Sequence, residues 1–171
     1  MLIFLGYLFT VINYICYCIS RFVKTKQMML FLDLVAKIFT ILGLYCLGSL
    51  SGAYSFIITF FLLIVANIKE KYNKKWLPIF LLFQALYIIV VLFVAFEGIS
   101  SILVFINATL NLMCVWWFSP QKMRFVGGIN SIFYLAYQIC IKNWAGLIEL
   151  AVIYCNFAAY IKYKKITKTE K

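Results

Sequence analysis

A chain of 171 residues that is 66% hydrophobic and only 12% charged cannot be a soluble globular domain, because it lacks the polar side chains to cover such a core. Its formal net charge of +11 does not point to nucleic acid, since the cations fall between apolar runs rather than along one face. There is no histidine, none of the six cysteines forms a CxxC and no glycine-rich phosphate loop is present, so no metal and no cofactor are expected.

A helix needs about 20 apolar residues to cross the hydrocarbon core, and the chain divides into seven such runs. The first, 2–19, carries no side-chain charge ahead of it and no small-residue cleavage site, which marks a span rather than a removable signal. It stops at Arg21, Lys24 and Lys26. The second, 27–48, turns through Gly48-Ser-Leu-Ser-Gly52, short enough only for a tight hairpin. The third, 53–68, meets the charged linker Lys69-Glu70-Lys71-Tyr-Asn-Lys74-Lys75. The fourth, 76–96, breaks at Glu97-Gly98, and the fifth, 99–118, stops at Ser119-Pro120-Gln121. The sixth, 122–141, is followed after an Asn143-Trp-Ala-Gly146 turn by the seventh, 144–163. Trp76, Trp116, Trp117 and Trp144 fall near span ends, as interfacial anchors do.

With seven spans, 14 of the 16 basic residues fall on one side of the membrane: those near 21–26, 69–75, 122–124 and 162–171. The other side receives only Lys142, and Lys37 lies inside a span. Basic loops stay cytoplasmic. The expected topology therefore places the N-terminus outside and the C-terminus inside.

An offset of 94 residues superposes Gln27, Met29, Phe31, Ile38, Phe39, Cys46 and Gly52 on Gln121, Met123, Phe125, Ile132, Phe133, Cys140 and Gly146. The same offset lays Ile12-Asn13 on Ile106-Asn107. It maps spans one to three onto five to seven and leaves the fourth unpaired. Four spans separate equivalent helices, so the two halves would run the same way through the bilayer. The expected fold class is an all-α membrane protein of seven transmembrane helices, with two parallel three-helix bundles joined by a linker helix. Its divisions are 1–68, 69–97, 98–163 and a basic tail at 164–171.

Charge inside lipid is expensive and marks a functional-site hypothesis. Asp33 and Lys37 stand four apart on the second span, share a face and are expected to neutralise one another. Glu149 has no such partner on its own helix, and Asn156 lies on roughly its face. Asn107 and Asn111 follow i, i+4, while Gly127, Asn130, Tyr134 and Tyr137 form a polar and aromatic stripe on the sixth span. The expected substrate-binding residues are Asn13, Asn107, Asn130, Tyr134, Tyr137 and Asn156. The intramembrane charges are Asp33, Lys37 and Glu149. Taken singly, each asparagine also fits as interhelical glue.

Residues 26–52 (KQMMLFLDLVAKIFTILGLYCLGSLSG) and 121–163 resemble the YgjV-type bacterial inner-membrane proteins. A basic turn, a short span, an LG-x-x-x-G hairpin and a closing Lys-Tyr follow in that order. The three-plus-one-plus-three plan is also similar to the SWEET, PQ-loop and PnuC transporter group. Pro120-Gln121 stands where a PQ dipeptide would follow the first helix of a repeat, although Lys26-Gln27 holds the matching place in the first half. The resemblance implies a bacterial cytoplasmic membrane protein.

The expected function is facilitative transport of a small vitamin-, nucleoside- or sugar-like solute. The alternative is a non-transporting membrane subunit or assembly factor; an enzyme is not expected. The expected partners are the lipid bilayer and a small uncharged solute, without nucleic acid, and an oligomer is allowed.

Overall fold

The computed structural model describes residues 2–72 and 77–169, without the side chains of Tyr72 and residues 165–169. Lys74, Lys75, Trp76 and Lys171 therefore lie outside the described residues, as do the side chains of Lys165 and Lys168. Among the described residues seven helices run in order: α1 (Leu2–Arg21), α2 (Lys26–Cys46), α3 (Leu50–Tyr72), α4 (Leu77–Tyr87), α5 (Ile99–Trp117), α6 (Pro120–Cys140) and α7 (Glu149–Thr169). A π-helix, Ile88–Val94, continues α4, and a 3-10 turn, Trp144–Ile148, leads into α7. No strand occurs among the described residues.

Each predicted run became a helix. Their ends differ because a helix does not stop where hydrocarbon stops: α3 continues to Tyr72 and α7 to Thr169. Pro120, expected as a breaker, is the first residue of α6, where its missing N–H costs no hydrogen bond. The π-helical segment left no mark in the hydrophobic pattern.

Among the described residues six helical segments, α4 counted with its π-helical continuation, are long and apolar enough to cross a membrane; α6 is the exception. Its 21 residues extend about 31 Å, enough for the crossing. What lowers its hydropathy is its inner face, where Arg124, Asn130, Ser131 and Gln138 are all buried.

Packing closes six helices into a ring. α1 lies against α2, α2 against α3, α3 against α5, α5 against α6, α6 against α7, and α7 back against α1. α4 sits outside, in the seam between α3 and α5. Its Tyr87 hydroxyl is 2.8 Å from Thr59 Oγ1 on α3, and Phe80 packs on Trp117 with ring centroids 4.3 Å apart.

The two tight hairpins are built alike. After α2, the N–H of Ser49 donates to the Leu44 carbonyl (3.1 Å) and that of Gly48 to the Tyr45 carbonyl (3.1 Å). After α6, Asn143 donates to Gln138 (2.9 Å) and Lys142 to Ile139 (3.0 Å). Both are Schellman caps, which need a left-handed residue just past the helix. Gly48 (φ 78°) fills that place in the first hairpin and Lys142 (φ 56°) in the second.

Glu97, expected only as a break, caps the start of α3. Its carboxylate accepts from the N–H groups of Leu50 (2.9 Å) and Ser51 (3.3 Å) and from the hydroxyls of Ser51 (2.7 Å) and Ser49 (3.2 Å). A negative group there meets the unpaired N–H groups of the first turn.

Candidate functional site: a polar cavity inside the ring

Inside the ring lies a cavity of about 50 Å3, room for about four water molecules. Five of the six predicted substrate-binding residues line it: Asn13, Asn107, Asn130, Tyr134 and Asn156. Tyr137 does not. It stands one helical turn beyond Tyr134, its ring stacked on that of Tyr134 (5.8 Å, 23°) and its hydroxyl 2.7 Å from Ser49 Oγ. Asp33, Lys37 and Glu149 all face the cavity, so all three predicted intramembrane charges converge there.

Their pairing differs from the expected one. Asp33 takes its ion pair from Arg21 on α1, not from Lys37. The Arg21 guanidinium reaches both carboxylate oxygens, one at 2.6 Å, and Ser20 Oγ donates to the first at 2.6 Å. Residues four apart do share a face, but Lys37 leans onto two rings instead. Its ammonium lies 4.8 Å from the Tyr17 centroid and 4.2 Å from that of Phe56. Cation–π attraction of this kind is strongest where water is excluded.

Glu149 opens α7 and is buried, with the Ser131 and Tyr14 hydroxyls beside its carboxylate. The Tyr14 hydroxyl falls short of hydrogen-bond geometry with any partner.

The amide groups are half used. Asn156 Nδ2 donates to the Val152 carbonyl (2.9 Å), and Asn107 Nδ2 to the Asn130 carbonyl (3.3 Å). That leaves Asn13 Oδ1, Asn130 Oδ1 and Asn156 Oδ1 buried without a protein partner, together with the Tyr14 hydroxyl and Arg21 Nε. Five of the eight such atoms among the described residues therefore belong to residues lining this one cavity. Each would cost about 1–3 kcal/mol if left dry, so the cavity must hold water or a polar ligand.

Polar contacts tie the helices together on either side of this space. On one side are the Tyr137–Ser49 contact and Asn143, whose Nδ2 donates to Gln138 Oε1 (2.8 Å) and Thr10 Oγ1 (3.3 Å). On the other, buried Arg124 of α6 donates to the carbonyls of Arg21 (2.9 Å) and Val23 (2.6 Å) and stacks on Tyr163 (4.1 Å). Tyr163 in turn donates to the Phe22 carbonyl (2.5 Å).

Arg21 and Arg124 were both expected among solvated loop cations. Both are buried, because each reaches acceptors on another helix or loop. A signal for the α1 wall was present: Asn13, Tyr17 and Arg21 recur every four residues on one helical face. Phe56 and Ser131 carried no such mark.

Apolar helices long enough to span, packed around buried ions and amides, define a multi-pass membrane protein. A family model described as a bacterial inner membrane protein, Imp-YgjV, matches residues 4–167. The chain belongs to that family, and its place is the bacterial inner membrane. No curated protein and no solved structure gives a match.

Proposed function

We propose that this protein is a facilitative transporter of a small polar solute, with seven spans in a three-plus-one-plus-three plan like that of the SWEET and PnuC group. The observation that carries it is the polar cavity with its unpartnered atoms, lined by α1–α3 on one side and α5–α7 on the other. Asn13, Asn107, Asn130, Tyr134 and Asn156 would hold the solute, and Tyr137 would back the Tyr134 ring.

Several facts support the internal repeat. α2 and α6 each have 21 residues and begin 94 positions apart, as do α3 and the turn at Trp144. Both Schellman caps recur at that offset, bond for bond. A methyl group at Gly52 would press on Leu44, as one at Gly146 would on Gln138, again 94 apart. Exchanging α1, α2 and α3 for α5, α6 and α7 reproduces the contacts of the ring. Two like halves around one site can rock to expose it to either side in turn.

The lining of amides, hydroxyls and aromatic rings suits a small vitamin-, nucleoside- or sugar-like solute. Thermal stabilisation of the purified protein across a panel of small polar metabolites tests it. A saturable hit that also enters proteoliposomes is the expected result. Copurification of one stoichiometric membrane partner, with no hit, favours a non-transporting subunit in which the same residues bind helices together. For topology, single cysteines at Lys24 and Lys142 in a cysteine-free chain should label from opposite sides, Lys24 from the cytoplasm; labelling from one side refutes it.

A further inference from the structure

We infer that the occupant of this cavity is a small zwitterion, a molecule of glycine or alanine size carrying one carboxylate and one ammonium group. The inference rests on the solute-site reading above and names the class of solute.

Four charged side chains face the cavity: Arg21, Asp33, Lys37 and Glu149. Arg21 and Asp33 neutralise one another directly. Lys37 and Glu149 remain, attracting one another only from beyond ion-pair distance. Among the described residues no carboxylate lies within 4.0 Å of the Lys37 ammonium, and no cationic group lies that close to the Glu149 carboxylate. Both residues are about 95% buried or more, at 5% and 3% exposure. A buried charge without a close counterion is strongly disfavoured, so the occupant should supply the missing partner to each. An anion would serve Lys37 and leave Glu149 worse; a cation would do the reverse. A neutral solute would serve neither. A molecule with both charges compensates the pair while both groups stay ionised.

The uncharged groups divide in the same sense. Arg21 Nε is a buried donor without a partner, suited with Lys37 to a carboxylate. Asn13 Oδ1, Asn130 Oδ1 and Asn156 Oδ1 are acceptors without a partner, suited with Glu149 to the several N–H bonds of an ammonium. The Asn156 assignment is fixed by its own Nδ2, which is engaged with Val152.

The test is calorimetric titration of the full-length protein in lipid nanodiscs with glycine, alanine, acetate, methylammonium and urea. Glycine or alanine should bind saturably, at least tenfold tighter than acetate, methylammonium or urea. Lys37→Met should weaken glycine binding tenfold or more while sparing methylammonium, and Glu149→Gln should weaken it while sparing acetate. The comparison of probes on the unaltered protein stands even where a variant does not fold. Urea binding as tightly as glycine, with both variants unaffected, overturns the zwitterion and leaves the solute site intact. Binding of none of the five, with another metabolite giving a saturable signal, also overturns the zwitterion alone. Silence from every compound tried overturns the solute site as well, leaving the cavity to water.

Discussion

Arg124 on α6 donates its Nε–H to the backbone carbonyl of Arg21, 103 residues earlier at the end of α1, across 2.9 Å. The same guanidinium reaches the Val23 carbonyl and the Gln121 side chain and sits over the Tyr163 ring. A planar cation thus caps the negative end of α1 and ties the α1–α2 turn to the other half of the ring. Arg124→Lys keeps the charge but cannot reproduce the fork. It should lower stability by about 1–3 kcal/mol, since buried carbonyls lose their partners. A melting temperature in detergent equal to that of the unaltered protein would remove Arg124 from this role.

Asp33 and Arg21 form the buried ion pair, and the mutational pattern should say so. Asp33→Asn or Arg21→Met alone leaves one buried charge uncompensated and should cost about 3–5 kcal/mol. The double variant should be milder than the sum of the two. Asp33→Asn combined with Lys37→Met should be closer to additive, because the two side chains make no ion pair. Strong coupling in the Asp33–Lys37 cycle and none in the Arg21–Asp33 cycle would contradict the observed pairing.

The two hairpins place different residues at their left-handed position, and the difference is testable. Lys142 holds a left-handed conformation that its counterpart Gly48 adopts freely. Lys142→Gly should therefore stabilise the protein by about 1 kcal/mol, and Gly48→Ala should destabilise it by about 1–2 kcal/mol. Nothing surrounds Gly48 within 4 Å that a methyl group would strike, so the backbone term is isolated. Paired unfolding curves of the two variants would settle the sign; the same direction for both defeats the argument.

Glu97 couples the end of the fourth span to the start of α3. Glu97→Gln retains its shape but weakens four charge-assisted contacts, and a loss of about 1 kcal/mol is expected. Hydrogen exchange should rise at Leu50 and Ser51, whose N–H groups it holds. Unchanged exchange at both would show that water caps the helix equally well.

The sequence by itself determined the seven helices, because a run long and apolar enough to span leaves the backbone no partner except itself. It also marked the residues of the cavity: polar side chains inside lipid have few places to go, and Asn13, Asn107, Asn130, Tyr134, Asn156 and the three charges all face one space. Spacing alone could not say which charge meets which. Asp33 and Lys37 share a helical face, yet the partner of Asp33 arrives from α1, twelve residues away around a turn. Nor could loop position foretell that Arg21 and Arg124 would be buried, since a long cation at a span end enters the protein only if carbonyls or carboxylates wait there. Tertiary packing decided those pairings, the outward displacement of Tyr137 onto Ser49, and the closing of six helices into a ring with α4 outside it. Hydrophobic periodicity reports how much of a helix avoids water. Which neighbour it turns toward depends on side chains far along the chain, and only the assembled ring brings them into reach.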